Sequence, residues 1–168
     1  MFEKSTIKGV PKSEENLTKV NDGYYVYGQN IQRQYSNPVL MDKKYLQKIK
    51  TNEPILAYTS SVGEIGMISE SFYRTGNNGA FQGLFSKMTS NSLSIMKFIL
   101  TSTKLHFKDL GYGTSMSNIM NMVIKLPLKN GEIDFEFIEN FMVELEKQKI
   151  DRLKSYLESV GLSNVNSK

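Results

Sequence analysis

The chain has 168 residues, 39% of them hydrophobic, with four prolines and a net charge of +4. That is enough for one folded domain with a core plus an appendage, and too apolar for a disordered chain. The absence of cysteine excludes disulfides, thiol catalysis and cysteine-based zinc sites, and no apolar run approaches the roughly 20 residues of a membrane helix. The opening Met1-Phe2-Glu3-Lys4 carries no apolar leader, so a cytoplasmic chain without membrane contact is expected.

The charge is unevenly spread. Residues 1–130 hold 16 Lys/Arg against 9 Asp/Glu, a net of +7, whereas residues 131–168 hold 5 against 8, a net of −3. A basic N-terminal part is what a phosphate-binding surface requires, although a modest lysine excess also serves solubility alone.

Along the chain, residues 1–23 mix Gly9, Pro11 and Gly23 with charges and predict an irregular lead-in. Tyr24-Tyr25-Val26-Tyr27 is a short β-prone run stopped by Gly28-Gln29-Asn30, and Ile31 to Tyr35 extends it or pairs with it. Between Val39 and Ile49 the apolar residues fall at a weakly helical spacing, which leaves strand and helix both open. Ile55 to Tyr58 and Gly66 to Ile68 flank a glycine-bearing turn and predict a hairpin. Phe72 to Phe85 is broken by a loop at Gly76-Asn77-Asn78-Gly79. From Ser92 to Phe107 the apolar residues at 93, 95, 96, 99, 100 and 105 suit a helix against a core, with Ser90 or Ser92 as its cap. After a turn-rich Gly111-Tyr112-Gly113 segment, Val123 to Leu128 predicts a closing strand ended by Pro127.

The last element is the clearest. Asp134 is placed to cap a helix, with Ile133 and Ile138 positioned for a hydrophobic staple. Apolar residues follow at 135, 138, 141, 142 and 145, then at 150, 153, 157 and 160, and Gly161 is a natural stop. The helix should run about 27 residues, roughly 40 Å. The five-residue gap between Leu145 and Ile150 shifts the stripe around the helix, so Leu145, Ile150, Leu153, Leu157 and Val160 are the expected interface with another helix. The elements together predict an α+β fold: a domain over 1–130, a long helix over 131–162 and a tail over 163–168.

Catalytic signatures are missing from this pattern. His106 has no paired nucleophile near it in sequence and is expected to be structural. Gly111-Tyr112-Gly113 lacks the Lys-Ser/Thr of a phosphate-binding loop and the third glycine of a dinucleotide fingerprint. Asp42-Lys43-Lys44 has the Asp-x-Lys form of nuclease metal sites, a triplet that also arises by chance. No metal or cofactor is expected. What remains is recognition chemistry, in three loops that combine planar amides with arginine, lysine or tyrosine. The first holds Gln29, Asn30, Gln32, Arg33 and Tyr35; the second Arg74, Asn77, Asn78 and Gln82; the third Lys108, Tyr112, Thr114, Ser115 and Asn118. Asn and Gln can bond adenine edges and Arg guanine edges, while hydroxyls such as that of Ser61 suit phosphates. The same residue types also populate ordinary turns.

The order of these features resembles the specificity subunit of type I restriction–modification systems and the recognition domains of type IIG enzymes. The resemblance rests on Phe2-Glu3 with Gly9, on Tyr25-Val26-Tyr27-Gly28-Gln29-Asn30, and on the hairpin Ser60-Ser61-Val62-Gly63-Glu64-Ile65-Gly66, where serine replaces the usual first glycine. Asn77-Asn78-Gly79-Ala80-Phe81 and the stretch from Gly113-Thr114-Ser115 through Asn118-Ile119 to Ile124-Lys125-Leu126-Pro127 continue it. The most specific part is that Ile-x-Leu-Pro end running straight into a long charged helix.

The resemblance implies a non-catalytic target-recognition domain for double-stranded DNA, built of short twisted strands with packed helices. It further implies a spacer helix able to form an antiparallel coiled coil. Partners implied are a methyltransferase (modification) subunit, which flips and methylates adenine, and a restriction subunit. A full subunit of that family has two recognition domains and two helices. One domain and one helix here imply a half-subunit or a fragment, joined through the helix to a second recognition domain or to a second copy. Two other classes stay open on the residues alone: a protein–protein module docking through the helix, and a small metal-dependent nuclease built on Asp42 and Lys44.

Overall fold

The computed structural model describes residues 1–11, 18–60, 63–76, 81–107 and 118–162. The fold is α+β, with short strands, two helices and the longer helix last. The chain divides into two compact units, Met1–Lys125 and Leu126–Lys168.

In the first unit, β1 (Phe2–Thr6), β3 (Ile55–Thr59), β4 (Glu64–Ile68) and β6 (Phe81–Ser86) form an antiparallel sheet in the order β1-β6-β3-β4. The run Ile55-Leu56-Ala57-Tyr58-Thr59 is buried along its whole length, as an unbroken apolar run with neighbours on both faces should be. Its hairpin to β4 is the one expected from the turn glycines, and Gly63 takes a φ of +74° there. Ala57 lies opposite Gly66 on one side and Gly83 on the other. A Cβ on Gly66 would collide with Ile31, so the bare backbone at that position lets a loop close over the sheet.

A second layer is the parallel pair of β2 (Lys19–Tyr27) and β5 (Phe72–Arg74), with Tyr25, Val26 and Tyr27 opposite Phe72, Tyr73 and Arg74. Strand alternation divides this pair between two cores. Tyr27 and Phe72 join Ile7, Ile31, Ile55, Ile68 and Phe81, while Val26 and Tyr73 join Val10, Val39 and Met41. Helix α1 (Leu93–Phe107) packs on β3 and β4, with Phe107 edge-on to Tyr58 at 6.1 Å. Ser92 caps it, its hydroxyl accepting from the Ile95 amide.

Several expectations need correction. The segment from Val39 to Ile49, where strand and helix were both open, becomes neither: isolated bridges from Val39 to Lys19 and Tyr24 and from Gln47 to Phe72 flank a short 3-10 turn at Lys43–Tyr45. Val39 and Met41 are buried while Leu40 is exposed, so the two-residue period of extended chain decides this stretch. Ile31 to Tyr35 does not extend β2 but folds back on it, Arg33 making a single antiparallel bridge to Tyr27 as the pairing alternative expected, with Ile31 at a φ of +57° and its side chain in the core. Val123 to Pro127 carries no strand pairing, and Val123 is 85% exposed. Only Leu128–Lys129 (β7) pairs, with Glu132–Ile133 (β8), in a small hairpin turned by Asn130 and Gly131 at positive φ. His106, expected to be structural, is exposed on the last turn of α1.

The second unit consists of that hairpin and α2 (Phe135–Ser159), 25 residues long. Asp134 caps α2 as expected, its carboxylate accepting from the Phe137 amide at 2.9 Å. Val160 and Gly161, the latter at a φ of +73°, end it. Burial within α2 is confined to Ile138 and Met142, both in its first half. No helix among the described residues is long and apolar enough to cross a membrane.

Candidate nucleic-acid interface

The first expected recognition loop becomes a rigid turn. Where β2 ends at Tyr27, the Gly28 amide donates to the Gln32 carbonyl at 3.0 Å, and the Ile31 amide donates back to the Gly28 carbonyl. The Gln34 amide donates to the Val26 carbonyl at 2.7 Å. Ile31 anchors the turn by its burial, and the Thr59 hydroxyl donates to the Gln29 carbonyl at 2.7 Å, pinning the turn to β3. Asn30 and Gln32 are left exposed at the tip, the Asn30 carboxamide oxygen accepting from the Gln32 amide.

Arg33 is the most constrained charge of this surface. Its Nε and Nη2 donate to the two oxygens of Glu70, each at 2.8 Å, and its guanidinium lies 3.5 Å from the centre of the Tyr25 ring. The Tyr27 hydroxyl donates to the same Glu70 carboxylate at 2.7 Å. A bidentate carboxylate on one edge and an aromatic ring on one face fix the plane of the guanidinium. Burial pushes the Tyr27 phenol up to about 12, and the Glu70 carboxylate that it bonds adds to the rise. Glu70 likewise holds Arg33 above its ordinary value.

Tyr35 is half-buried against the second core. The Thr75 hydroxyl donates to the Gln34 carboxamide at 2.7 Å and ties the end of β5 to this turn.

Arg74 does not behave as a surface reader. It is 2% exposed, its Nη1 donates to the Ile7 carbonyl at 2.9 Å, and its guanidinium lies 5.2 Å from the Phe81 ring. Burial lowers its pKa from the ordinary value. The reason is strand alternation: Arg74 falls two residues after Phe72 and so points toward the same core. Gln82 stands on β6, in register with Thr6 and Tyr58, and accepts from the Thr6 hydroxyl at 3.1 Å. Asn118 is exposed. Ser61, Asn77, Asn78, Lys108, Tyr112, Thr114 and Ser115 lie outside the described residues.

Glu70 and Tyr25, which orient Arg33, and Tyr27, which bonds Glu70, are the residues of this cluster that sequence reasoning missed. Glu70 is 37 residues away and no local pattern marks it. The period-two tyrosines at 25 and 27 were the available signal, since they place two aromatic side chains on one face of the strand.

Asp42 and Lys44 engage each other. The Asp42 carboxylate accepts from the Lys44 amide at 2.9 Å and pairs with its ammonium at 3.1 Å, capping the 3-10 turn. Among the described residues no group of three or more His, Asp or Glu side chains is placed to hold a metal ion.

Of the expected helix interface, Ile150, Leu153 and Val160 are exposed, while Leu145 and Leu157 are half-buried.

No family model matches the chain, and no curated protein matches it. Among solved structures it is similar to the crystal structure of the type I restriction–modification system S subunit from M. genitalium. The identity is 18% and the TM-score 0.46, over 96% of this chain and 40% of that one. The chain thus spans two-fifths of the length of that neighbour.

Proposed function

We propose that the chain is a non-catalytic reader of double-stranded DNA. In this reading it acts as the recognition element of a restriction–modification complex, with the first unit contacting the duplex and α2 joining it to other subunits. The observation that carries the reading is the Gly28–Tyr35 turn. It presents exposed amides at Asn30 and Gln32 beside an arginine held in one plane, in the part of the chain that carries the positive charge. A fixed guanidinium and fixed amides suit base edges, because each ordered donor or acceptor costs less conformational entropy on binding. The sequence resemblance supplies the biological setting: a methyltransferase subunit that modifies adenine and a restriction subunit that cleaves, neither activity residing in this chain.

Selection from a random duplex library tests it. Enrichment of a short motif is expected, with affinity falling steeply as salt rises. Arg33→Ala should weaken binding and relax the preference at one position, at a cost of about 1–3 kcal/mol. Failure to enrich any motif, or binding indifferent to salt, would overturn the reading.

A further inference from the structure

The Arg33 guanidinium has two edges, and Glu70 takes only one of them. Nε and one N–H of Nη2 form the side edge, which donates to the two Glu70 oxygens at 2.8 Å each. Nη1 and the second N–H of Nη2 form the end edge, a further pair of parallel donors. The end edge makes no hydrogen bond to any of the described residues.

Strand pairing explains how the side chains meet. Arg33 lies opposite Tyr27 in an antiparallel bridge, which brings it to the face of β2 that carries Tyr25 and Tyr27. The Tyr25 ring then covers one face of the guanidinium at 3.5 Å. Glu70, in the connection from β4 to β5, closes the side edge and is itself held by the Tyr27 hydroxyl at 2.7 Å. The Arg33 side chain remains 48% exposed and that of Glu70 29%, so the pair lies at the surface.

This arrangement favours a base over a phosphate. Phosphate binding depends on net positive charge and counterion release, and Glu70 cancels the charge of Arg33. A fixed pair of donors instead needs two adjacent acceptors. In the major groove only guanine offers them, at O6 and N7; adenine and cytosine present an amino donor, and thymine a single acceptor beside a methyl group.

We infer that the end edge of Arg33 reads a guanine, and that Glu70 is the positioning residue that aims it and keeps it off the phosphates. This rests on the DNA reading proposed above and adds the base and the residue that selects it.

The test is selection from the random duplex library, followed by titrations of the selected duplex at several salt concentrations. The parent should fix a guanine at one position. Replacing that guanine by deazaguanine, in which carbon takes the place of N7, should weaken binding about tenfold. This arm uses the unaltered chain and so does not depend on any variant folding. Arg33→Met/Glu70→Gln, which keeps the net charge, should lose both the guanine and the deazaguanine penalty while the slope of log affinity against log salt stays the same. Glu70→Gln alone frees the arginine charge. It should bind motif-free duplex more tightly, steepen that slope by about one, and lose much of the guanine preference. A merely structural Glu70 would weaken binding to every duplex alike.

A guanine that survives in the double variant would overturn the inference, as would an Arg33-dependent base other than guanine. So would a double variant whose slope falls by about one with its motif unaltered, the mark of a phosphate contact, or a Glu70→Gln chain that matches the parent in both preference and slope. An enriched motif indifferent to Arg33 rejects this inference alone, whereas no motif from the parent rejects the DNA reading and this inference with it.

Discussion

The two units spend their apolar residues in opposite ways. In Met1–Lys125, β3 is buried throughout and two side-chain clusters absorb the aromatic and branched residues of β2 and β5. In Leu126–Lys168, a 25-residue helix buries only Ile138 and Met142, and leaves Val143, Ile150, Leu153, Tyr156 and Val160 in solvent. The first unit closes two apolar cores of its own, and the exposed tip of its Gly28–Tyr35 turn, Asn30 and Gln32, is polar. The second carries apolar surface with no counterpart along its own helix, the pattern of an assembly element.

Substitutions should separate the units by size of effect. Phe72→Ala removes a fully buried ring that touches Tyr27 and Phe81, and should cost about 3–5 kcal/mol in urea unfolding. Leu153→Ala in the isolated chain should change stability by less than about 0.5 kcal/mol. Comparable losses for both would show that Leu153 is already packed, and the contrast between the units would fall.

Arg74→Ala should lower stability by about 2 kcal/mol, from the charge-assisted bond to Ile7 and the packed stem. A variant that melts like the parent yet binds DNA poorly would return Arg74 to the surface set.

The Tyr27 phenol supplies a pH signature. Its folded pKa, about 12, lies above the ordinary value of 10.0. Its contribution is therefore fully present below pH 10.0 and is lost as pH rises through about 12. Between these limits the parent should lose about 1–2 kcal/mol more stability than Tyr27→Phe, which has no proton to release. Parallel losses in the two proteins would remove the Tyr27–Glu70–Arg33 cluster as the cause.

The smallest effect is expected in the second unit. Asp134→Ala removes the carboxylate that accepts from the Phe137 amide and should cost about 1 kcal/mol of helix stability, read as a drop in helical circular dichroism on heating. An unchanged melt would mean that α2 does not depend on its cap.

Legibility followed distance along the chain. The β3–β4 hairpin, the Ser92 and Asp134 caps and the Gly161 stop are decided by neighbours a few residues apart, and each was read correctly. The Val39–Ile49 segment was ambiguous in spacing, and its extended form depends on where Val39 and Met41 find a core. The strand expected at Val123–Leu128 failed because β-prone residues form a strand only where a partner backbone exists. Of the candidate recognition residues, the Gly28-Gln29-Asn30 break was legible, since glycine and asparagine mark it locally. The burial of Arg74 was legible in principle, because a three-residue strand that buries Phe72 on one face returns Arg74 to that face.

By itself the sequence determined an α+β chain, the division of charge between its parts, and the long capped helix with a stripe that shifts after Leu145. These depend on composition and on periods of two to four residues, which local geometry imposes on any backbone. Only the tertiary structure decided that β2 pairs in parallel with β5, that β1 joins β6 across 76 residues at Thr6 and Gln82, and that Glu70 fixes Arg33. Such contacts arise from closing long loops around a shared core. Their free energy resides in burial and in paired charges at the point of meeting, and no local pattern encodes it.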